Sequence, residues 1–125
     1  MKNLITTAIR ANKYNIQGYK FSGYVVPILS LEGYVKKSFE LLPYENRQKL
    51  FLEDWPIYTT THNTPPAMYM EGAEVKNSII FTHTKIGEKA KLNYVVSDKS
   101  VVIENVKTLQ GDKDDLIVIP QGAKV

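Results

Sequence analysis

Apolar positions follow two different rhythms along the 125 residues. In the first part they recur at helical spacing. Leu4, Ile5, Ala8 and Ile9 share one face of residues 2–12, which predicts a helix with Asn12 as its stop. Leu31, Tyr34, Val35, Phe39 and Leu42 fall on one face of a second helix, which Ser30 is placed to cap and Pro43 ends. Residues 44–52 predict a third, short helix. Between the first two, the aromatic and β-branched runs 14–21 and 24–28 flank Ser22-Gly23, a spacing that predicts a hairpin. Pro27 then marks the second run as an edge strand or a strand end. These elements are too short to bury a core of their own and read as the last pieces of something larger.

After Tyr69 the rhythm changes. Val75, Ile80, Ile86, Leu92 and Val96 recur at intervals of five, six, six and four, with Gly, Lys, Glu and Asn between them. Short β-branched runs follow at 95–96, 101–103 and 117–119. An aliphatic repeat near six suggests a left-handed parallel β-helix with three short strands per coil. A β-sandwich fragment fits the same short runs. Residues 110–115 (QGDKDD) break the repeat and predict an excursion between coils.

Residues 53–69 separate the two rhythms and contain the only tryptophan. Pro65 and Pro66 each lack a backbone donor, and each disfavours helix in the residue before it, so no regular element runs through them. Trp55, Ile57 and Tyr58 are too apolar for a free linker and predict a strap packed on both neighbours.

Composition adds exclusions. A hydrophobic content of 43% and a charged content of 23% are those of a folded globular chain. No apolar run approaches the ~20 residues of a membrane span. The first residues lack a signal-peptide pattern, so the expected location is the cytoplasm. Zero cysteines exclude disulfides and thiolate chemistry. The formal charge of +3 is unclustered, so no nucleic-acid surface is expected. The glycines form neither a P-loop nor a dinucleotide fingerprint. His62 and His83 lack zinc-ligand spacing, and Asp112, Asp114 and Asp115 lack the glutamate of a calcium loop.

Residues 54–59 (DWPIYT), the Pro65-Pro66 pair and residues 72–80 (GAEVKNSII) together resemble the ADP-glucose pyrophosphorylases, or glucose-1-phosphate adenylyltransferases. Residues 21–24 (FSGY) and the helix ending in Glu40-Leu41-Leu42 are similar to the close of that family's catalytic domain. Residues 85–88 and 101–103 are similar to its β-helix, and the resemblance favours that fold over the sandwich. It implies a mainly β chain with an α/β remnant. Residues 1–52 would be the last helices and hairpin of a nucleotidyltransferase domain, 53–69 a connector, and 70–125 a short left-handed β-helix. Trp55, Ile57 and Tyr58 would form the domain interface, and Val75, Ile80, Ile86, Leu92 and Val96 the β-helix core. The β-helix would lack about one coil of the family's usual length.

The family joins ATP and glucose-1-phosphate into ADP-glucose and pyrophosphate, feeding glycogen or starch synthesis. Catalytic members carry a tryptophan and a magnesium-binding aspartate where this chain has Val25 and Pro27. A proline side chain offers no ligand oxygen. The resemblance therefore implies a GlgD-type regulatory portion with no catalytic or metal residue and no cofactor of its own, Mg2+ belonging to catalytic relatives. Its partner would be the catalytic subunit, in a hetero- or homo-oligomer, with a sugar-phosphate effector. The alternatives are the tail of a catalytic subunit and a hexapeptide acyltransferase-like protein, in which His83 would be the general base.

Overall fold

The computed structural model describes residues 2–11 and 14–125. Three helices precede nine short strands: α1 (Lys2–Arg10), α2 (Leu31–Glu40), α3 (Tyr44–Leu50), then β1 (Met68–Tyr69), β2 (Glu74–Lys76), β3 (Ile79–Ile80), β4 (Lys85–Ile86), β5 (Lys91–Asn93), β6 (Val95–Ser97), β7 (Val102–Ile103), β8 (Thr108–Gln110) and β9 (Ile117–Ile119). The expected stop at Asn12 lies outside the described residues. All sheet pairing is parallel and joins every third strand: β1-β4-β7, β2-β5-β8 and β3-β6-β9. The chain therefore winds as a three-sided coil, each side a three-stranded sheet.

Register explains the sequence rhythm. Met68 pairs with Lys85, Glu74 with Lys91 and Ile79 with Val96, each 17 positions apart. Seventeen is an interval of five followed by two of six. Applied from Val75, that spacing reaches Ile80, Ile86, Leu92, Ser97, Ile103 and Leu109. Inward-facing side chains therefore stack in columns such as Val75–Leu92–Leu109 and Ile80–Ser97–Ile119. The interior cluster is Ile86, Ala90, Leu92, Val95, Val101, Ile103 and Ile119, with Val75 and Ile80 packed against it. Val96 was expected among these core residues. It is buried but lies outside the cluster, because strand alternation turns Val95 and Ser97 inward and Val96 outward. The slip arises at Ser97, a polar residue that occupies an interior rung.

Corners repeat with the same period. Gly72, Lys89 and Val106 form one column of left-handed backbone, with φ of 70, 56 and 60°. Asn77 and Tyr94 form a second (47 and 54°), and His83, Ser100 and Gly122 a third (59, 60 and 72°). Only two of these eight residues are glycines, so the turns carry strain that the ladders and core must offset.

In the last coil Val95 pairs with Ile117, 22 positions on, which is five more than elsewhere. The surplus is the expected excursion at 110–115. It closes on itself, with Asp112 N–H donating to Asp115 O at 2.9 Å. The ladder resumes at once, with Ile117 N–H donating to Tyr94 O at 3.1 Å.

The hairpin expected from 14–21 and 24–28 does not form: among the described residues no strand precedes Met68. An isolated two-stranded ribbon is marginal in water, and no element covers this one. Tyr19, Phe21, Val25 and Ile28 are all exposed, and the Phe21 ring lies over Gly23, where a Cβ would collide with it.

Candidate functional site

Helix α2 is the best-defined element outside the coil. Ser30 caps it as expected, accepting from Gly33 N–H at 3.0 Å. The Glu32 carboxyl is held below its ordinary pKa by a hydrogen bond from its own backbone N–H and then by the Ser30 hydroxyl. In the last turn Lys37 Nζ donates to Glu40 Oε2 at 2.6 Å, which raises the lysine pKa. Glu32 at the helix start and Lys37 near its end suit the helix dipole, whereas Glu40 at the last position opposes it and is offset by its ion pair with Lys37. Ser38 Oγ donates to Tyr34 O, and Asn46 Nδ2 to Glu40 O, tying α3 back to the end of α2.

A cleft of about 420 Å3 lies between α2 and the coil. Val35, Lys36 and Phe39 line it from the helix, Asn77 and Tyr94 from the second corner column, Lys113 from the excursion and Leu116 from just after it. Val35 is the one buried residue of α2. The strained backbone at Asn77 and Tyr94 and the five extra residues thus sit together on the side facing the helix. The polar groups at the cleft are mixed in sign, with Glu32 and Asp114 beside the two lysines.

The expected site residues are distributed elsewhere. Trp55, Ile57 and Tyr58 are 78, 51 and 90% exposed, so the strap they were expected to form does not pack on either neighbour within the described residues. An antiparallel bridge between Leu52 and Trp55 folds this segment on itself, and its aromatic faces stay outward. Pro27 lies in the irregular stretch before α2, beside an exposed Val25. His83 is an exposed corner residue whose Nδ1 lies 3.0 Å from Ser100 Oγ, the corner residue of the next coil. Among the described residues no group of three or more His, Cys, Asp or Glu could hold a metal ion. Tyr94, Ser97 and the left-handed corners were not singled out by sequence reasoning. No shared residue type marks the corners, so the sequence carries no signal that would have located them.

Residues 64–116, which span the first two coils and enter the third, match the family described as GlmU-like, C-terminal hexapeptide. This part of the chain is similar to that family's hexapeptide repeat. The five-six-six stacking of its interior is the structural form of that repeat. The chain is also similar to the glycogen biosynthesis protein GlgD of Bacillus subtilis (strain 168), at 29% identity over 83% of this chain and 40% of that protein. It is similar to the glucose-1-phosphate adenylyltransferase of Clostridium perfringens (strain SM101 / Type A), at 24% identity over 90% of this chain and 30% of that enzyme. The adenylyltransferase of Thermomicrobium roseum is 32% identical over half of the chain and 14% of that enzyme. The chain therefore spans less than half the length of these curated relatives. Its likeness to the first two extends well beyond the hexapeptide segment. No solved structure matches it significantly. No helix among the described residues is long and apolar enough to cross a membrane.

Proposed function

We propose that this chain is the regulatory and oligomerisation portion of a glucose-1-phosphate adenylyltransferase assembly that supplies ADP-glucose for glycogen synthesis. The observation that carries this reading is the similarity to GlgD over 83% of the chain, a share large enough to take in α2, α3 and most of the coil. In this reading residues 1–52 are the end of a nucleotidyltransferase domain, 53–69 connect it, and 70–125 form a left-handed β-helix. Pro27 stands where a catalytic subunit places its magnesium-binding aspartate, so the metal and the chemistry belong to a catalytic partner in the cytoplasm. The coil supplies a rigid body, since each rung is locked to the next by parallel hydrogen bonds and by interior columns. Helix α2 and the cleft beside it are the route by which events on the catalytic side would reach that body.

The test is functional mixing. The chain is added to a catalytic glucose-1-phosphate adenylyltransferase, and ADP-glucose formation is followed with and without sugar-phosphate effectors. The expected result is a change in rate or in effector activation at stoichiometric addition. Identical turnover and identical activation curves would overturn the reading.

A further inference from the structure

Five residues of the last coil lie outside the ladder. Asn77, Tyr94 and Gly111 follow one another at 17 positions. The same rung bond recurs at the last two, from Tyr94 N–H to Lys76 O at 3.3 Å and from Gly111 N–H to Asn93 O at 2.9 Å. Val95 follows Tyr94 directly, yet its ladder partner Ile117 is separated from Gly111 by Asp112, Lys113, Asp114, Asp115 and Leu116. Both ends of this insertion meet at Gly111, where a Cβ would lie 2.7 Å from Tyr94 O, 3.0 Å from Asp115 O and 3.2 Å from Ile117 N. Beyond that neck Asp112 and Asp115 exchange backbone hydrogen bonds at 2.9 and 3.3 Å, so Lys113 and Asp114 form the tip of a closed turn. The tip faces α2: Lys113, Asp114 and Leu116 line the cleft opposite Val35, Lys36 and Phe39.

Each side of the cleft brings one acid and one base, Glu32 and Lys36 from the helix, Lys113 and Asp114 from the turn. Glu32 is already bonded to the Ser30 hydroxyl. Lys36 and Asp114 are exposed and belong to none of the ion pairs among the described residues. Helix α2 has ten residues, fewer than the ~12–15 that an isolated helix needs in water, and Val35 is its one buried side chain. Its order therefore depends on what packs beside Val35. We propose that the excursion is a clasp that holds α2 to the coil, with Leu116 packed on the Val35 and Phe39 side of the helix and Asp114 closing onto Lys36. An exposed ion pair contributes little and is screened by salt, so a clasp built this way opens and recloses. Its regulatory consequence rests on the proposed function. The contact itself does not, and it is tested on the chain alone, so the two can fail separately.

Hydrogen exchange of the full 125-residue chain is read by segment. Deleting 112–116 joins Gly111 to Ile117 and restores the 17-residue spacing. Protection of 68–110 is expected to persist in that variant, while exchange at 34–40 quickens by about tenfold. Asp114→Ala is expected to quicken exchange at 34–40 about two- to fivefold in the parent chain, and to have no effect in a Lys36→Ala background. Salt of about 1 M is expected to erase the Asp114→Ala effect. Unchanged exchange of α2 on deletion would overturn the clasp, and so would an Asp114→Ala effect of equal size with and without Lys36. Loss of coil protection on deletion would overturn it too, because the excursion would then be part of the coil's own structure.

Discussion

Replacing Gly87 by alanine puts one methyl group where two coils touch. Gly87 is buried, and a Cβ there would lie 2.6 Å from Asn105 N, Asn105 Oδ1 and the Glu104 carbonyl carbon of the next coil. Two of these are backbone atoms, and backbone cannot rotate away as a side chain can. The same contact carries two hydrogen bonds, Gly87 N–H to Ile103 O at 2.9 Å and Glu88 N–H to Asn105 Oδ1 at 3.0 Å. Overpacking costs about 1–3 kcal/mol, and each hydrogen bond lost or stretched adds about 1 kcal/mol. Alanine also restricts the unfolded chain, which returns about 0.4–1 kcal/mol. The clash wins, and Gly87→Ala is expected to destabilise the coil by roughly 2–3 kcal/mol. Trp55 lies outside the coil and would not report its unfolding, so urea titration is followed by far-UV circular dichroism and by hydrogen exchange of residues 68–119. Asn105→Ala provides the control. It removes the side-chain acceptor only, at about 1 kcal/mol, and in the double variant it leaves the two backbone contacts in place. A Gly87→Ala protein within about 0.5 kcal/mol of the parent, or full rescue by Asn105→Ala, would refute the close-approach argument.

Three further substitutions test the same structure. Ser97 Oγ is buried in the interior columns without a hydrogen-bond partner, so Ser97→Ala is expected to raise stability by about 1 kcal/mol in the same titration. Loss of stability there would mean the hydroxyl is satisfied. Val106 is an exposed β-branched residue at φ 60°, and Val106→Asn, which tolerates that backbone, is expected to gain up to about 1 kcal/mol. An unchanged midpoint would show that the corner is not strained. Ser30→Ala removes the acceptor for Gly33 N–H and is expected to cost α2 about 1 kcal/mol, read as faster exchange at residues 33–36 with no change in the coil.

Much of the coil was readable in the chain because its repeat is written in aliphatic residues. Val75, Ile80, Ile86 and Leu92 are spaced as the interior requires, though a β-sandwich fragment fits the same runs and the family resemblance is what favoured the coil. The excursion at 110–115 was readable for the complementary reason, since a run of Gly, Lys and Asp cannot occupy interior rungs. The Ser30 cap and the stop before Pro43 are local backbone chemistry and needed no tertiary information. The segment before the coil was read less well. Aromatic and β-branched runs at 14–28 have strand propensity, but propensity becomes a strand only when a neighbour pairs with it or packs on it. The candidate interface at Trp55, Ile57 and Tyr58 was recognised as apolar, yet among the described residues these side chains stay exposed.

By itself, then, the sequence determined the short repeat of aliphatic positions after Tyr69, its excursion and the Ser30 cap, because each depends on residue type at a fixed spacing. Only the tertiary structure decided that the fourth aliphatic interval ends on Ser97 rather than Val96. The stack above and below a rung, rather than the polarity of the residue, sets which side chain points inward. It likewise decided that His83, Lys89, Tyr94, Ser100 and Val106 turn the corners in left-handed backbone. None of these residues prefers that conformation alone. The parallel ladders on either side impose it, and a column of such corners can be seen only when the coils are stacked.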